Sequence, residues 1–237
     1  MPSDHGGRNH IEANGYVHGI NPRQVKAVVF DLGGVFLEGT IENVVKFGKK
    51  VGLDESAWEQ IRTELFLQGG DGLWDQLERG EITLEAFATG LQKRLAAGGV
   101  EIDLNEARNF MGHPEDTFEM RLRQEIVSAC ESVRAVMPTA LLTNNIVEWR
   151  NGWRSRIDVD GLFNEVIDSS AVGMRKPETR IYKLMEQLLG QPGEELLFID
   201  DLGVNLKPAR KLGWQTLKYD DTTKVLQVLD AVVQHAG

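Results

Sequence analysis

Three short apolar runs, each followed by a polar residue, constrain the fold of this chain most strongly. They are Val28–Phe30 before Asp31, Met137–Leu142 before Thr143, and Leu196–Ile199 before Asp200. Short apolar runs of this kind are typical of strands that are covered on both faces, as in a parallel sheet. In such sheets ligands bind outside the carboxyl ends of the strands. The sequence therefore predicts that Asp31, Thr143 and Asp200 lie at one edge of a sheet.

Strand-like and helical patterns alternate in the second half of the chain. The predicted strands there are Ala140–Leu142, Glu165–Ile167, Leu196–Ile199 and Thr216–Lys218, with helices that include Arg180–Leu189 and Asn205–Leu212. This alternation implies a parallel sheet with right-handed crossovers. Between Asp31 and Thr143, apolar residues instead recur at helical spacing, for example Leu84, Phe87 and Leu91. We therefore predict an α/β fold with a doubly wound, Rossmann-like parallel-sheet core and an inserted α-helical cap domain.

The same patterns predict the domain boundaries. Residues 1–24 are rich in Gly and Asn and show little apolar periodicity, which predicts a disordered tail. Residues 25–39 and 129–237 are assigned to the α/β core, and residues 40–128 to the helical cap.

The composition argues against several classes of function. With 26 basic and 36 acidic residues the net charge is −10, so neither nucleic acid nor an anionic membrane is expected as the main partner. No apolar run of about 18 residues and no secretory segment occurs, which favours a cytoplasmic location. The lone cysteine, Cys130, excludes an intrachain disulfide, and no histidine is placed like the base of a Ser-His or Cys-His hydrolase.

Asp31 is the candidate nucleophile. It follows a buried strand and precedes Gly33 and Gly34, small residues that let backbone amides approach a bound anion. From this stretch alone, a residue that merely ends a strand is an equally good interpretation of Asp31.

Polar residues in three later segments complete a candidate site. Thr143 and Asn144 offer hydrogen-bond donors, Lys176 offers a positive charge, and Asp200 with Asp201 forms a carboxylate pair. Together with a nucleophilic aspartate, these groups can transfer a phosphoryl group through an aspartyl-phosphate. Each also has a structural alternative, since acidic pairs cap helices and a Lys-Pro pair often begins one. Arg175, before the lysine, could face either solvent or substrate.

Four motifs in order resemble those of the haloacid dehalogenase-like (HAD) hydrolase superfamily. They are Phe-Asp-Leu-Gly-Gly-Val, Leu-Leu-Thr-Asn-Asn, Arg-Lys-Pro-Glu and Phe-Ile-Asp-Asp-Leu-Gly-Val-Asn, and the resemblance runs from about Lys26 to about Leu229. The chain is similar to subfamily IA members with a C1 helical cap. These include the amino-terminal phosphatase-like domains of soluble epoxide hydrolases and of certain acyl-CoA dehydrogenases, and bacterial sugar-phosphate phosphatases.

The resemblance implies residue roles. Asp31, Lys176 and Thr143 would be catalytic, and the phosphate would be bound by Thr143, Asn144, Lys176 and Gly34. The implied activity is hydrolysis of a small phosphomonoester through an aspartyl-phosphate at Asp31. The implied partner is a small phosphorylated metabolite, and the implied assembly is a monomer or homodimer.

The resemblance also implies Mg²⁺ as the cofactor. Its implied ligands are Asp31, Asp201 and the backbone carbonyl of Gly33, with Asp200 mainly in the outer shell. An all-oxygen site with few protein ligands suits this ion better than zinc.

Gly33 departs from the family pattern. Most phosphatases of the group carry a second aspartate at this position, two residues after the nucleophile, as the general acid–base. Such assistance contributes about a hundred- to ten-thousandfold in rate. Glu38, further along the same loop, is a possible substitute. Two other functions therefore stay open: a catalytically weak phosphate- or metabolite-binding protein, and a haloacid dehalogenase, which uses the same nucleophile on carbon without a metal.

Overall fold

The structure is a computed structural model that describes residues 15–38, 52, 54–56, 58–59, 72–109 and 121–236. Several predictions lie outside the described residues: those for residues 1–14 of the tail, 39 and 237 of the core, and 40–51, 53, 57, 60–71 and 110–120 of the cap.

Five parallel strands form the sheet. They are β1 (Ala27–Phe30), β2 (Thr139–Thr143), β3 (Glu165–Asp168), β4 (Leu196–Asp200) and β5 (Gln215–Lys218), in the spatial order β3-β2-β1-β4-β5. The predicted strands are confirmed, each within one residue at either end. The chain places β2 and β3 on one side of β1, then returns to place β4 and β5 on the other. The sheet is therefore doubly wound, with its topological switch point between β1 and β4.

Helices connect the strands and form the insertion. They are α1 (Leu73–Glu78), α2 (Leu84–Ala97), α3 (Leu104–Arg108), α4 (Gln124–Arg134), α5 (Arg150–Arg154), α6 (Val159–Leu162), α7 (Ser169–Val172), α8 (Thr179–Leu189), α9 (Gly203–Lys211) and α10 (Thr222–Gln234). The predicted helices at Arg180 and Asn205 correspond to α8 and α9. Helix α8 ends where Gly190 adopts a left-handed conformation, with φ 64°. None of the helices in the described ranges is long and apolar enough to cross a bilayer.

Alternate residues of the strands face two helical layers. Val28 and Phe30 of β1 pack with residues of α4 and α10, whereas Ala27 and Val29 pack with residues of α8 and α9. All four residues of β1 are completely buried. Helices on both faces of the sheet thus explain why β1 is apolar throughout rather than alternating.

The described part of the insertion, residues 72–109, is helical and has an apolar cluster of its own. Trp74 and Leu77 of α1 pack with Phe87 and Leu91 of α2. Helix α2 is capped by Thr83, the residue before it, whose Oγ1 accepts a hydrogen bond from the amide of Ala86 (3.2 Å). Ile146, which follows β2 in the core, belongs to the same cluster. The insertion is therefore packed against the segment that follows the carboxyl end of β2.

The predicted tail differs from the structure over residues 15–24. Val17 and Ile20 are only 1% and 3% exposed and pack in the cluster beside α4 and α10. The amide of Asn21 donates to Oε1 of Gln215 (2.7 Å). The prediction of disorder is wrong for this part because a few scattered apolar side chains in a segment rich in Gly and Asn produce no periodic pattern, yet Val17, Ile20 and Pro22 are buried.

The predicted boundary between cap and core at residue 129 also differs from the structure. Helix α4 begins at Gln124 and packs against α10, α6 and β2, so residues 124–128 belong to the core rather than to the cap. An isolated antiparallel bridge between Leu37 and Leu122 joins the two chain segments where the insertion leaves and re-enters the core. The sequence boundary at residue 129 fell inside a helix because the apolar pattern is helical on both sides of it.

Candidate active site

Asp31 and Asp200 lie side by side at the topological switch point. Asp31 directly follows β1, and Asp200 is the last residue of β4. Phe30 pairs with Ile199, and the amide of Asp31 donates to the carbonyl oxygen of Ile199 (2.9 Å). Asp31 is 7% exposed and Asp200 is completely buried. The parallel pairing of two apolar strands thus brings together two carboxylates that are far apart in sequence.

Lys176 bridges these two carboxylates. Its Nζ lies 2.8 Å from Oδ1 of Asp31 and 2.7 Å from Oδ2 of Asp200, and the residue is 1% exposed. Burial on its own would lower the pKa of the ammonium group, but the charges of Asp200 and Asp31 outweigh it, so the pKa is raised. Lys176 is therefore a permanently charged group between the two aspartates.

Both carboxylate oxygens of Asp200 accept hydrogen bonds from protein groups. Nδ2 of Asn205 lies 3.1 Å from Oδ1 and 3.0 Å from Oδ2, and the amide of Leu202 donates to Oδ1 (2.7 Å). Because Lys176 also contacts Oδ2, both oxygens have partners from the protein. Asp200 is thus a fixed acceptor that orients the lysine.

Asp201 stands against Gly34 of the loop after β1. Gly34 has φ 75°, and a Cβ atom at this position would overlap the carboxyl group of Asp201. Only glycine fits both the backbone conformation and this close approach. The loop that follows Asp31 therefore packs directly on the carboxylate pair.

Three carboxylates converge at this point with one lysine between them. Asp31, Asp200 and Asp201 each offer an oxygen, and these oxygens lie within 4.8 Å of one another. Burial, and then the charge of Asp200, raises the pKa of Asp31 well above its ordinary value, although Lys176 opposes the shift. The same two causes raise the pKa of Asp201 to about 6.

An excess of buried negative charge and an all-oxygen donor set fit a hard divalent cation. The cluster of Asp31, Asp200 and Asp201 could therefore hold a metal ion. Because Asp200 is already satisfied by Lys176 and Asn205, Asp31 and Asp201 have more capacity for a metal.

Thr143 is the last residue of β2, and Asn144 follows it at the same edge of the sheet. Thr143 is 2% exposed. The side-chain amide of Asn144 brackets the backbone of Lys176: its Nδ2 donates to the carbonyl oxygen (2.9 Å), and its Oδ1 accepts from the amide (2.8 Å). The structure thus gives Asn144 a role that the sequence did not predict, since its side chain holds the residue that carries the lysine.

The side chain of Arg175 contacts the cap. The sequence leaves open whether it faces solvent or substrate. Its Nε lies 2.6 Å from Oε2 of Glu78, and its Nη1 lies 2.6 Å from Oδ1 of Asp75. Both carboxylates belong to α1. Sequence reasoning missed these two acidic residues, although their spacing, with Trp74 on the same helical face, is a signal that can be recognised.

Arg123 is a second residue that sequence reasoning missed. Its Nη1 donates to the carbonyl oxygens of Gly34 (2.7 Å) and Val35 (2.9 Å), so it fastens the loop after Asp31. Its Nε also lies 3.9 Å from Oε1 of Glu38, whose side chain is 46% exposed. Nothing in the sequence marks this arginine, because it lies 89 positions from the glycine that it contacts.

Comparison with known proteins places these residues in a wider context. Residues 25–213 match the sequence profile of a hydrolase family described as haloacid dehalogenase-like hydrolase. Bifunctional epoxide hydrolase 2 of Sus scrofa is 29% identical over 218 residues, a match that covers 88% of this chain and 39% of that protein. The chain thus spans about two fifths of the length of this relative.

Solved structures share the fold. A HAD family enzyme of Bacteroides thetaiotaomicron, in complex with magnesium and inorganic phosphate, has a TM-score of 0.61 at 23% identity, covering 85% of this chain and 98% of that chain. An L-2-haloacid dehalogenase of Xanthobacter autotrophicus with covalently bound chloropropionic acid has a TM-score of 0.56 at 19% identity, covering 82% and 77%.

Proposed function

The chain belongs to the haloacid dehalogenase-like hydrolases, and from this premise we propose that it is a Mg²⁺-dependent phosphatase of a small phosphomonoester. One observation carries the proposal: Asp31 is a buried carboxylate in contact with Lys176 and clustered with Asp201 at the switch point of the sheet. This arrangement combines a nucleophile, a positive charge and a candidate metal site at the position where α/β sheets bind ligands.

Asp31 is the proposed nucleophile. One of its carboxylate oxygens forms a bond to phosphorus while the bond from phosphorus to the ester oxygen breaks, and the leaving oxygen takes a proton from water to give the alcohol. Water then attacks the aspartyl-phosphate, which releases phosphate and restores the carboxylate. Since Asp31 is almost completely buried and Lys176 fixes one of its oxygens, the attacking group is held in a single orientation.

Asp31 and Asp201 are the proposed side-chain ligands of Mg²⁺, with the backbone carbonyl of Gly33 as a third. When bound, the ion offsets the repulsion between the carboxylates and the phosphoester. Lys176 supplies a further positive charge in the same place. Thr143 is the proposed hydroxyl donor to the phosphate group.

The proposal predicts that hydrolysis of a generic aryl phosphate requires Mg²⁺ and falls to background in Asp31→Asn. The substitution preserves volume but removes the nucleophile. A matched control is Asp168→Asn at the end of β3, because Asp168 pairs with Arg150 and Ser170 rather than with the cluster. We expect the control to retain turnover. Full activity in EDTA, or in Asp31→Asn, would exclude the phosphoenzyme mechanism.

Dehalogenation is the second candidate, since it uses an aspartate on carbon and needs no metal. The carboxylate pair Asp200 and Asp201 argues against it, because without a metal three clustered carboxylates, two of them buried, share the positive charge of Lys176. The same assay distinguishes the two functions: release of halide from an L-2-haloacid in EDTA, lost in Asp31→Asn, would favour the dehalogenase.

A further inference from the structure

Glu78, the last residue of α1 in the cap, is a buried carboxylate with partners in both domains. It is 8% exposed. Its Oε1 accepts from Nε1 of Trp74 in the cap (2.8 Å), and its Oε2 accepts from Arg175 (2.6 Å) and Asn144 (3.2 Å) in the core. Its backbone carbonyl accepts from Oγ of Ser169 (2.6 Å). The carboxylate is therefore fully used, and most of its partners lie outside the cap.

Direct contacts lead from this carboxylate to the nucleophile. Asn144, which donates to Glu78, also brackets the backbone of Lys176 with two hydrogen bonds of 2.9 and 2.8 Å. Nζ of Lys176 then lies 2.8 Å from Asp31. One residue, Asn144, thus lies between the side chain of Glu78 and Lys176, and two residues lie between Glu78 and the proposed nucleophile.

Arg175 forms a second connection between the same partners. It precedes Lys176 in the chain, and its guanidinium contacts both Glu78 and Asp75 of α1. Asp75 is 1% exposed, so the cap presents two buried carboxylates to one arginine of the core. Burying these charges is costly unless they are paired, so they are stable only while α1 is docked on the Arg175–Lys176 segment.

We propose that Glu78 is a positioning residue, which couples docking of the cap helix α1 to the placement of Lys176 beside the nucleophile. Glu78 accepts hydrogen bonds from Asn144 and Arg175, and Asn144 in turn is hydrogen-bonded to the backbone of Lys176. Without Glu78, both donors lose a charged acceptor and the lysine segment opens more readily. The catalytic consequence rests on the proposed function, whereas the structural coupling does not.

Hydrogen exchange tests the coupling without reference to activity. Glu78→Gln preserves the volume of the side chain but removes its negative charge. Arg175 and Asn144 then face a neutral amide group instead of a carboxylate. We expect the Lys176 amide to exchange about tenfold faster than in the unchanged protein. Losing a hydrogen bond to a charged group changes the free energy of local opening by about the amount that a tenfold faster exchange requires. The matched control is Glu148→Gln, because Glu148 also joins the core to the cap, through the amide of Leu84, without contacting the lysine segment. Its Lys176 amide should exchange at the original rate.

Kinetics tests the catalytic consequence. With an aryl phosphate and Mg²⁺, we expect kcat of Glu78→Gln to fall about tenfold with KM changed less than about threefold, because placement of the lysine affects the chemical step more than binding. Should Glu78→Gln not fold, Glu78→Asp keeps the charge but is one methylene too short to reach both core donors, and the same exchange pattern is expected.

Unchanged exchange at Lys176 in a folded Glu78 variant would overturn the proposal, and so would equal changes in the Glu148 control. If the unchanged protein does not hydrolyse phosphate esters while the exchange result holds, the proposed function fails and the positioning role of Glu78 stands.

Discussion

Lys176 is the residue on which the charge balance of the site depends. It is one ammonium group in contact with two of three clustered carboxylates, so the cluster contains an excess of acidic groups over basic ones. A phosphoester would add to that excess. A divalent cation is the simplest group that reverses the local potential, and the oxygen donors of Asp31 and Asp201 suit it.

In the proposed phosphatase reaction, Gly33 occupies the position from which a side chain could give the leaving alcohol its proton. Its neighbour Gly34 has φ 75°, but Gly33 is not among the glycines with positive φ, so its backbone does not exclude a side chain. We expect Gly33→Asp to raise turnover, most of all for alkyl phosphates, because poor leaving groups depend most on protonation. Added negative charge near Asp31 opposes part of the gain.

The matched control for this prediction is Gly33→Asn, which adds nearly the same volume without an acidic proton. Steady-state kinetics on paired alkyl and aryl phosphates should show a gain in the aspartate variant alone. If Gly33→Asp folds and binds Mg²⁺ but shows no gain, then either another group such as Glu38 transfers the proton or the protein binds phosphate with little catalysis.

At the scale of elements, the segment before β1 contributes to the core. Ile20 and Val17 are buried beside α10, and His18 Nε2 lies 2.7 Å from Oε1 of Gln227 on that helix. This short segment is thus tied to the last helix of the chain. The ordered core therefore begins before β1.

This docking predicts that Ile20→Ala lowers the free energy of unfolding by about 2 kcal/mol. We expect a value at the lower end of the range for a buried isoleucine because the neighbouring residues His18 and Gly19 are exposed. Denaturant unfolding measures the difference. Val136→Ala is the matched control, since Val136 is 45% exposed, and it should change stability by less than about 0.5 kcal/mol. Equal stability of Ile20→Ala and the unchanged protein would mean that residues 15–24 do not dock in solution.

At the scale of the whole molecule, the fold concentrates acidic groups at the carboxyl ends of β1 and β4, which lie side by side. The chain already carries a net charge of −10. Burial and neighbouring charge raise the pKa values of Asp31 and Asp201. A carboxyl group whose pKa is higher in the folded state stabilises the fold below its unfolded pKa, and that contribution is lost as the pH rises through the folded value.

The metal-free protein should therefore lose stability between pH 4 and 6 through Asp201, whose pKa rises from 3.8 to about 6. In EDTA at pH 7 we expect the Tm of Asp201→Asn to exceed that of the unchanged protein by about 2 °C or more, and the difference to vanish near pH 4. Calorimetry over this pH range measures both.

Added Mg²⁺ should reverse the order, because only the unchanged protein keeps the carboxylate ligand and gains stability by binding. A lower Tm for Asp201→Asn in EDTA at pH 7 would contradict the pKa shift. A Tm of the unchanged protein that does not respond to Mg²⁺ would instead count against the metal site.

The sequence by itself determined the sheet, because each strand is a short apolar run and the helices between them have regular periodicity. It also indicated which polar residues end the strands. From Asp31 and Asp200 at the ends of β1 and β4, local pattern and the rule for parallel sheets suffice to place both carboxylates at one edge. The family resemblance added their implied roles, which stay proposals.

Only the tertiary structure decided the contacts between distant segments. Arg123 holds the carbonyl oxygen of Gly34, and Glu78 contacts Asn144 and Arg175, across intervals that carry no local pattern. The burial of Ile20 was decided in the same way. Periodicity reports which face of an element is apolar, but a single polar or apolar side chain finds its partner only when the packed elements bring the two together.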